Sequence, residues 1–244
     1  MAMTGTHRFD AVLFDAGGVL VLPDPARVID ALAHLGVSQD HVDHIRGHYR
    51  GMRAVFDHSV DIDHWSAFNL AYAEEVGLDS EHLPEADEII NALAVSDPWL
   101  WSHVNEGAVE LLGDLAARGV PIGVVSNATG MIAEVLAGLG ICQVGPGDGV
   151  EVAVVVDSAV VGIEKPDPGI FAFALQAMDV PAERTIYVGD TVRNDVLGAR
   201  AAGLHPLQLD PFDLHVDAEL VHDIEPWDRI GSLNEVLDWL DLTD

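Results

Sequence analysis

Several polar residues of this chain stand directly behind short apolar runs, in positions where they could act together. A carboxylate can serve as a nucleophile or as an oxygen ligand for a divalent cation, and a hydroxyl or an amide can hydrogen-bond the oxygens of an anion. The residues are Asp15 behind 11–14, Ser126 and Asn127 behind 120–125, and Gly189 with Asp190 behind 185–188.

The apolar runs alternate with helical periods, which predicts crossover units and a parallel sheet covered on both faces. In such a sheet, ligands bind outside the carboxyl ends of the strands. We therefore expect the polar residues behind the runs to meet at one edge. The predicted strands are 11–14, 120–125, 152–156, 185–188 and 204–209, and the predicted helices between and after them are 106–118, 131–139, 169–178, 193–202 and 233–240.

Residues from about 24 to 96 have a different character, because helical periods dominate and strand signals are absent. The expected helices there are 25–35, 39–56, 61–76 and 81–93. The sequence thus predicts an α/β doubly wound core domain over 1–22 and 97–244, with an all-helical cap domain inserted over 23–96.

One face of the second of these helices carries charged residues beside its apolar stripe. Arg46, Arg50 and Arg53 border the stripe on one side, where pairing with nearby acids is favoured over contact with a ligand. The histidines at 41, 44 and 48 border it on the other side and are expected to be solvated.

Four segments, taken in order, resemble the motifs of the haloacid dehalogenase superfamily, whose core is Rossmann-like. The helical insert is similar to the cap of phosphoglycolate phosphatase-like enzymes and of the phosphatase domain of soluble epoxide hydrolases. The motifs are Phe14-Asp15-Ala16-Gly17-Gly18-Val19-Leu20, Val124-Val125-Ser126-Asn127, Gly162-Ile163-Glu164-Lys165-Pro166-Asp167-Pro168 and Val188-Gly189-Asp190-Thr191-Val192-Arg193-Asn194-Asp195.

The resemblance implies a Mg²⁺-dependent phosphatase that acts on a small phosphorylated metabolite. Asp15 would attack phosphorus, and Lys165 would neutralise charge on the nucleophile and the phosphate. Ser126 and Asn127 would bind the phosphoryl oxygens. The metal would be held by Asp15, Asp190, Asp195 and the backbone carbonyl of Gly17.

Two features of the motifs stand out. Lys165 is the only lysine in the chain, since the other ten of its 11 basic residues are arginines. Gly17 stands where phosphatases of that superfamily carry a second aspartate as general acid and base, a role typically worth ~10²–10⁴ in rate.

Two other readings of these residues remain open. In a 2-haloacid dehalogenase, Asp15 would attack carbon and require neither Mg²⁺ nor an acid at position 17. In a non-catalytic phosphate-binding or regulatory protein, Gly17 would mark the loss of catalysis. The acidic fourth motif and the glycine at 17, where dehalogenases usually have an aromatic residue, favour the phosphatase.

Composition narrows the classes of partner. The formal net charge is -30, from 41 acidic and 11 basic residues, and such a surface repels phosphate backbones and anionic lipids. Nucleic acid and membranes are therefore poor partners. The single cysteine, Cys142, excludes an intrachain disulfide. With no signal-peptide pattern at the start, we expect a cytoplasmic protein.

Overall fold

The computed structural model describes residues 8–57, 64–97, 99–215 and 225–241. Within them the chain forms two compact units. The first holds residues 8–20, 104–211 and 225–241, and the second holds 21–57, 64–97, 99–103 and 212–215. The short stretch at 212–215 is one that the sequence pattern did not assign to the helical insert.

The described strands belong mainly to the first unit. In chain order they are β1 (Ala11–Phe14), β2 (Val21–Leu22), β3 (His103–Val104), β4 (Ile122–Ser126), β5 (Cys142–Val144), β6 (Val150–Val152), β7 (Val154–Asp157), β8 (Thr185–Gly189), β9 (His205–Leu209) and β10 (Asp228–Ile230).

The described helices fall into two groups. Those of the second unit are α1 (Pro25–Leu32), α2 (His41–Asp57), α3 (His64–Glu75) and α4 (Leu83–Ser96). Those of the first unit are α5 (Ala108–Ala117), α6 (Ile132–Gly138), α7 (Ser158–Val161), α8 (Gly169–Met178), α9 (Gly198–Ala201) and α10 (Val236–Leu240).

Six strands form one parallel sheet in the order β10-β9-β8-β1-β4-β7. The central strand β1 has the sequence Ala-Val-Leu-Phe, and all four side chains are 0% exposed. A continuous apolar run of this kind is typical of a strand covered on both faces. The predicted α/β class, a parallel sheet flanked by helices, is confirmed.

Helix α8 illustrates how the helices cover the sheet. Its apolar face, formed by Ile170, Phe171 and Ala174, packs in one buried cluster with Leu13 of β1 and Tyr187 of β8. The ring of Phe171 meets that of Tyr187 edge-on, with centroids 4.8 Å apart. This packing fixes the side chain of Tyr187 below the carboxyl edge of the sheet.

Two of the differences between the predicted and the observed elements lie in the first unit. The predicted strand 152–156 is divided at Ala153, because β6 pairs with β5 whereas β7 pairs with β4. The predicted helix 193–202 begins as a π-helical segment, Val192–Leu197, and continues as α9. The wider turn arises because the backbone N–H groups of both Asp195 and Val196 bond to the carbonyl of Thr191.

The second unit is a set of helices around its own apolar core. Glycines let α2 and α3 approach closely, since a Cβ at Gly47 would lie 3.0 Å from the ring of Tyr72 and one at Gly51 would lie 2.4 Å from that of Phe68. The two rings stack with centroids 6.0 Å apart. No described helix combines the length and the apolar character that a bilayer span would require.

The two borders of the apolar stripe on α2 differ in outcome. The arginines on one border pair with acids as predicted, whereas two of the histidines on the other border do not follow the prediction. Arg46 lies 3.4 Å from Glu75, and Arg53 lies 2.8 Å from Asp57, so these arginines pair with acids. The expectation of solvated histidines is wrong for His44 and His48, which are 2% and 1% exposed.

Candidate active site

The polar residues behind β1, β4 and β8 lie at the carboxyl edge of three neighbouring strands. β1 lies between the other two, and Phe14 is in register with both Val124 and Val188. The next polar residues along these strands are Asp15, Ser126 and Asp190, which are 7%, 4% and 2% exposed. The sheet thus assembles in space what is separated in sequence.

Lys165 links two carboxylates in this cluster. Its Nζ lies 2.7 Å from Asp15 Oδ2 and 2.7 Å from Asp195 Oδ1, and it donates to the hydroxyl of Tyr187 at 2.8 Å. The three contacts match the three N–H donors of an ammonium. The Lys165 side chain is 1% exposed, so its charge is held in place by these acceptors.

Asn127 fixes the backbone that carries Lys165. Its side-chain Nδ2 donates to the carbonyl of Lys165 at 2.9 Å, and its Oδ1 accepts the N–H of Lys165 at 2.8 Å. The side-chain amide is therefore committed to the main chain of the lysine. The binding of phosphoryl oxygens that the sequence predicts for Asn127 is therefore left to its backbone N–H.

Asp195 is oriented by the π-helical segment in which it lies. Its Oδ2 accepts from the backbone N–H of Thr191 at 2.8 Å and from the Thr191 hydroxyl at 2.5 Å. Its Oδ1 faces Lys165 and the hydroxyl of Tyr187, 3.0 Å away. Both oxygens thus have partners, and the residue is 1% exposed.

The carboxyl of Asp15 has an unusual acidity. Its pKa is raised from 3.8 to about 7, because burial and the negative charges of Asp195 and Asp190 together outweigh the lowering by Lys165. The pKa of Lys165 is itself raised, because attraction to Asp15 and Asp195 outweighs the burial that lowers it. A buried titratable group in this setting is typical of functional sites.

The turn behind β1 leaves no room for a side chain at Gly18. This residue has a φ of +77°, and a Cβ there would lie 2.1 Å from Asp190 Oδ2. A Cβ at Gly189 would lie 2.2 Å from the Cβ of Asp195. The glycines therefore allow both carboxylates to approach Asp15.

The carboxylate set fits a divalent cation that prefers oxygen ligands. Oxygens of Asp15, Asp190 and Asp195 all lie within 4.8 Å of one another, and all three residues are buried. Three carboxylates and the single ammonium of Lys165 leave two net negative charges when all are ionised, which a divalent ion would balance. Gly17, whose carbonyl is the fourth predicted ligand, is half-buried in the same turn.

Asp157, the last residue of β7, also organises the backbone around the site. Its Oδ2 accepts from the backbone N–H of Gly130 at 2.9 Å and of Ile132 at 3.4 Å, and its Oδ1 accepts from Ala159 at 2.9 Å. It therefore holds the loop that follows Ser126.

Tyr187 and Gln208 are the polar contributors that the sequence analysis missed. Tyr187 is in an otherwise apolar part of β8, and Gln208 lies between two leucines of β9, with both residues 0% exposed. A buried polar side chain is costly unless it is hydrogen-bonded. A polar residue within an apolar strand run was therefore the signal that could have identified them.

A family model described as haloacid dehalogenase-like hydrolase matches residues 9–203. The mouse haloacid dehalogenase-like hydrolase domain-containing protein 3 is 34% identical over 163 residues, which are 65% of this chain and 59% of that protein. Phosphoserine phosphatase of Thermus thermophilus is 33% identical over 130 residues, 53% of this chain and 48% of that enzyme. The chain thus spans about half the length of the curated relatives it matches.

A solved structure extends the likeness to the whole fold. A HAD hydrolase from Bacillus subtilis, bound to magnesium, covers 96% of this chain and 100% of its own, with a TM-score of 0.60 and 18% identity. At this identity the likeness concerns the fold, and it agrees with the family match over residues 9–203. The chain therefore belongs to the haloacid dehalogenase-like hydrolase family.

Proposed function

We propose that this hydrolase is a Mg²⁺-dependent phosphatase for a small phosphorylated metabolite, working through a phosphoryl group on Asp15. The observation that carries the proposal is the cluster at the end of β1. There Asp15 lies 2.7 Å from Lys165 and within ligand reach of Asp190 and Asp195. The Thermus relative, a phosphoserine phosphatase, supports the same reaction class.

In the first step, a carboxylate oxygen of Asp15 forms a bond to phosphorus while the ester oxygen leaves with its electron pair. The backbone N–H of Ala16 donates to Asp15 Oδ1 at 2.7 Å, and Lys165 contacts Oδ2 at 2.7 Å. Both contacts stabilise the ionised carboxylate, the form that can attack.

Mg²⁺ would be held by the carboxylates of Asp15, Asp190 and Asp195, together with the carbonyl of Gly17. When bound, the ion offsets the negative charge of the carboxylates and the phosphoryl group, which otherwise repel one another. Lys165 adds a compact positive charge on the Asp15 and Asp195 side of the cluster.

The oxygens of the phosphoryl group would be hydrogen-bonded by the hydroxyl of Ser126 and the backbone N–H of Asn127. Asp157 fixes the loop behind them by accepting the backbone N–H groups of Gly130 and Ile132. Donors that are already fixed need no reorganisation as charge develops on the transferring group.

In the second step, water adds to phosphorus, the bond to Asp15 breaks, and inorganic phosphate leaves. The superfamily's usual acid and base at position 17 is replaced by Gly17, which can neither protonate the leaving oxygen nor take a proton from water. We therefore propose substrates whose leaving oxygen bears negative charge well, such as aryl or acyl phosphates, over alkyl phosphates.

The dehalogenase reading has a weaker basis in this site. Attack on carbon creates no demand for three buried carboxylates within 4.8 Å of one another, whereas a metal-assisted phosphoryl transfer uses them. The non-catalytic reading would not require a nucleophile paired with the chain's one lysine.

The test is a screen of phosphate esters with Mg²⁺ on the unaltered protein, Asp15→Asn and the control Asp114→Asn. Asp114 is an exposed carboxylate on α5, so the control makes the same chemical change away from the cluster. We expect Asp15→Asn to lose turnover and the control to keep it, and EDTA to abolish activity. Turnover of 2-haloacids that survives EDTA would favour the dehalogenase instead.

A further inference from the structure

A fully buried glutamine connects the main chain of Asp190 to a tryptophan that directly precedes β10. Gln208, in β9, is 0% exposed. Its Nε2 donates to the backbone carbonyl of Asp190 at 2.9 Å, and its Oε1 accepts from the indole N–H of Trp227 at 2.7 Å. Trp227 stands directly before β10 and is 7% exposed.

The chemistry of the two partners fixes the orientation of the amide. An indole nitrogen can only donate and a carbonyl oxygen can only accept, so the reversed amide would lose both bonds. Trp227 therefore determines which end of Gln208 faces Asp190. The amide has one orientation in which both of its ends are satisfied.

The position of Gln208 makes a purely packing role a poor explanation. Gln208 is 0% exposed, and an apolar side chain at this buried position would have no polar group to satisfy. Burying an amide is unfavourable unless its hydrogen bonds are made. Gln208 is in register with Gly189, so its side chain lies beside the end of β8, where Asp190 follows.

The position of the Asp190 carboxylate is also tightly constrained. Its carboxylate occupies the space that a Cβ on Gly18 would take, at 2.1 Å. A small rotation of the Asp190 backbone would therefore bring its carboxylate against the turn behind β1 or move it away from Asp15 and Asp195.

We propose that Gln208 is a positioning residue for Asp190 and that Trp227 holds Gln208 in its working orientation. The inference rests on the proposed function, because it takes Asp190 to be a ligand of the divalent ion. Gln208 acts through the main chain of Asp190, so its loss should change metal binding before it changes any contact with substrate.

The experiment compares Mg²⁺ affinity, by calorimetry, in the unaltered protein, Gln208→Met and Thr185→Val. Methionine keeps the length of the side chain and removes both hydrogen bonds. Thr185 is a matched control, because it is 0% exposed, lies at the opposite end of β8 and donates one side-chain hydrogen bond to Pro181 at 2.8 Å. We expect Gln208→Met to weaken Mg²⁺ binding by about 10-fold, the order found when partners behind metal ligands are removed, and Thr185→Val to leave it unchanged.

A second readout follows Trp227 directly. Its indole N–H resonance, assigned by its loss in Trp227→Phe, should shift on titration with Mg²⁺ in the unaltered protein. In Gln208→Met that Mg²⁺-dependent shift should disappear, because the connection to Asp190 is gone. A role confined to packing would not produce a metal-dependent signal at this indole.

The outcomes separate this inference from the function on which it rests. If the unaltered protein binds no Mg²⁺, the metal site fails and this inference fails with it. If it binds Mg²⁺ and Gln208→Met binds it equally well, only the role of Gln208 is overturned. Should Gln208→Met not fold, Trp227→Phe decides, since it keeps the glutamine and must still weaken Mg²⁺ binding by a smaller factor.

Discussion

The ionisation of Asp15 should make the free energy of unfolding depend on pH, and the substitution Asp15→Asn should remove this contribution. Burial raises the pKa of this carboxyl from 3.8 to about 7 in the folded protein. Between these values the unfolded chain has already lost the proton that the folded chain still holds. Without metal, the contribution of Asp15 to stability is therefore complete below about pH 4 and is lost as pH rises toward 7.

The size of the effect follows from the shift. Each pH unit between the two pKa values corresponds to about 1.4 kcal/mol. Measurements are best made from pH 5 upward, because the sequence pI is near 4.3 and a chain with little net charge precipitates readily. The interval from pH 5 to 7 covers about two units. Ionisation of Asp15 should therefore lower the free energy of unfolding by at most roughly 3 kcal/mol across this interval.

The assay is urea unfolding from pH 5 to 8 with excess EDTA, on the unaltered protein and on Asp15→Asn. The free energy of unfolding of the variant, relative to the unaltered protein, should rise with pH up to about 7 and then stay level, because the substituted amide does not ionise. Asp114→Asn removes an exposed carboxylate and should run parallel to the unaltered protein. If Asp15→Asn also runs parallel, the carboxyl ionises normally in the fold, and the reasoning about its burial is wrong.

The remaining predictions concern metal, leaving group and cap stability. Asp190→Asn should weaken Mg²⁺ binding in calorimetry, since an amide oxygen carries no full charge; equal affinity would remove Asp190 from the metal site. With Gly17 in place of the acid, aryl phosphates should be hydrolysed much faster than alkyl phosphates, with a burst of released phenol in stopped-flow kinetics; equal rates and no burst would mean that another residue is the acid. Tyr72→Phe removes a hydroxyl that lies 2.7 Å from Nδ1 of the buried His44, and urea unfolding should show a loss of about 1–3 kcal/mol.

What could be predicted at the site depended on strand order. Parallel strands place their carboxyl ends at one edge, so Asp15 and Asp190 could be brought together from apolar runs alone. The hydrogen bonds and ion pairs around these two residues could not be predicted, because they depend on strand register and on how far each side chain reaches. Nothing in the sequence near Gln208 indicates that its amide reaches the main chain beyond Gly189.

The wrong prediction for the buried histidines of α2 has the same cause, because the sequence does not show which neighbouring element covers a side chain. A helical pattern places His44 on the border of an apolar stripe but does not show which helix covers that border. In the structure, Tyr72 of α3 supplies a hydroxyl to Nδ1, and the carbonyl of Ser38 lies 2.7 Å from Nε2. Because a carbonyl only accepts, Nε2 carries the proton of the neutral ring. Burial also lowers the pKa of His44, in keeping with that neutral form.

The contacts of Lys165 give a physical reason why a chain whose other ten basic residues are all arginines has a lysine at this position. Three acceptors converge on one point, with Asp15, Asp195 and Tyr187 each 2.7–2.8 Å from Nζ. An ammonium presents three donors from one atom, whereas a guanidinium presents five in a planar fork and needs acceptors spread across it. The two carboxylates hold the ammonium more firmly than the neutral hydroxyl of Tyr187 does. A phosphoryl oxygen that approaches Lys165 therefore has Tyr187 as its weakest competitor, and the exchange would leave both ion pairs of the lysine in place.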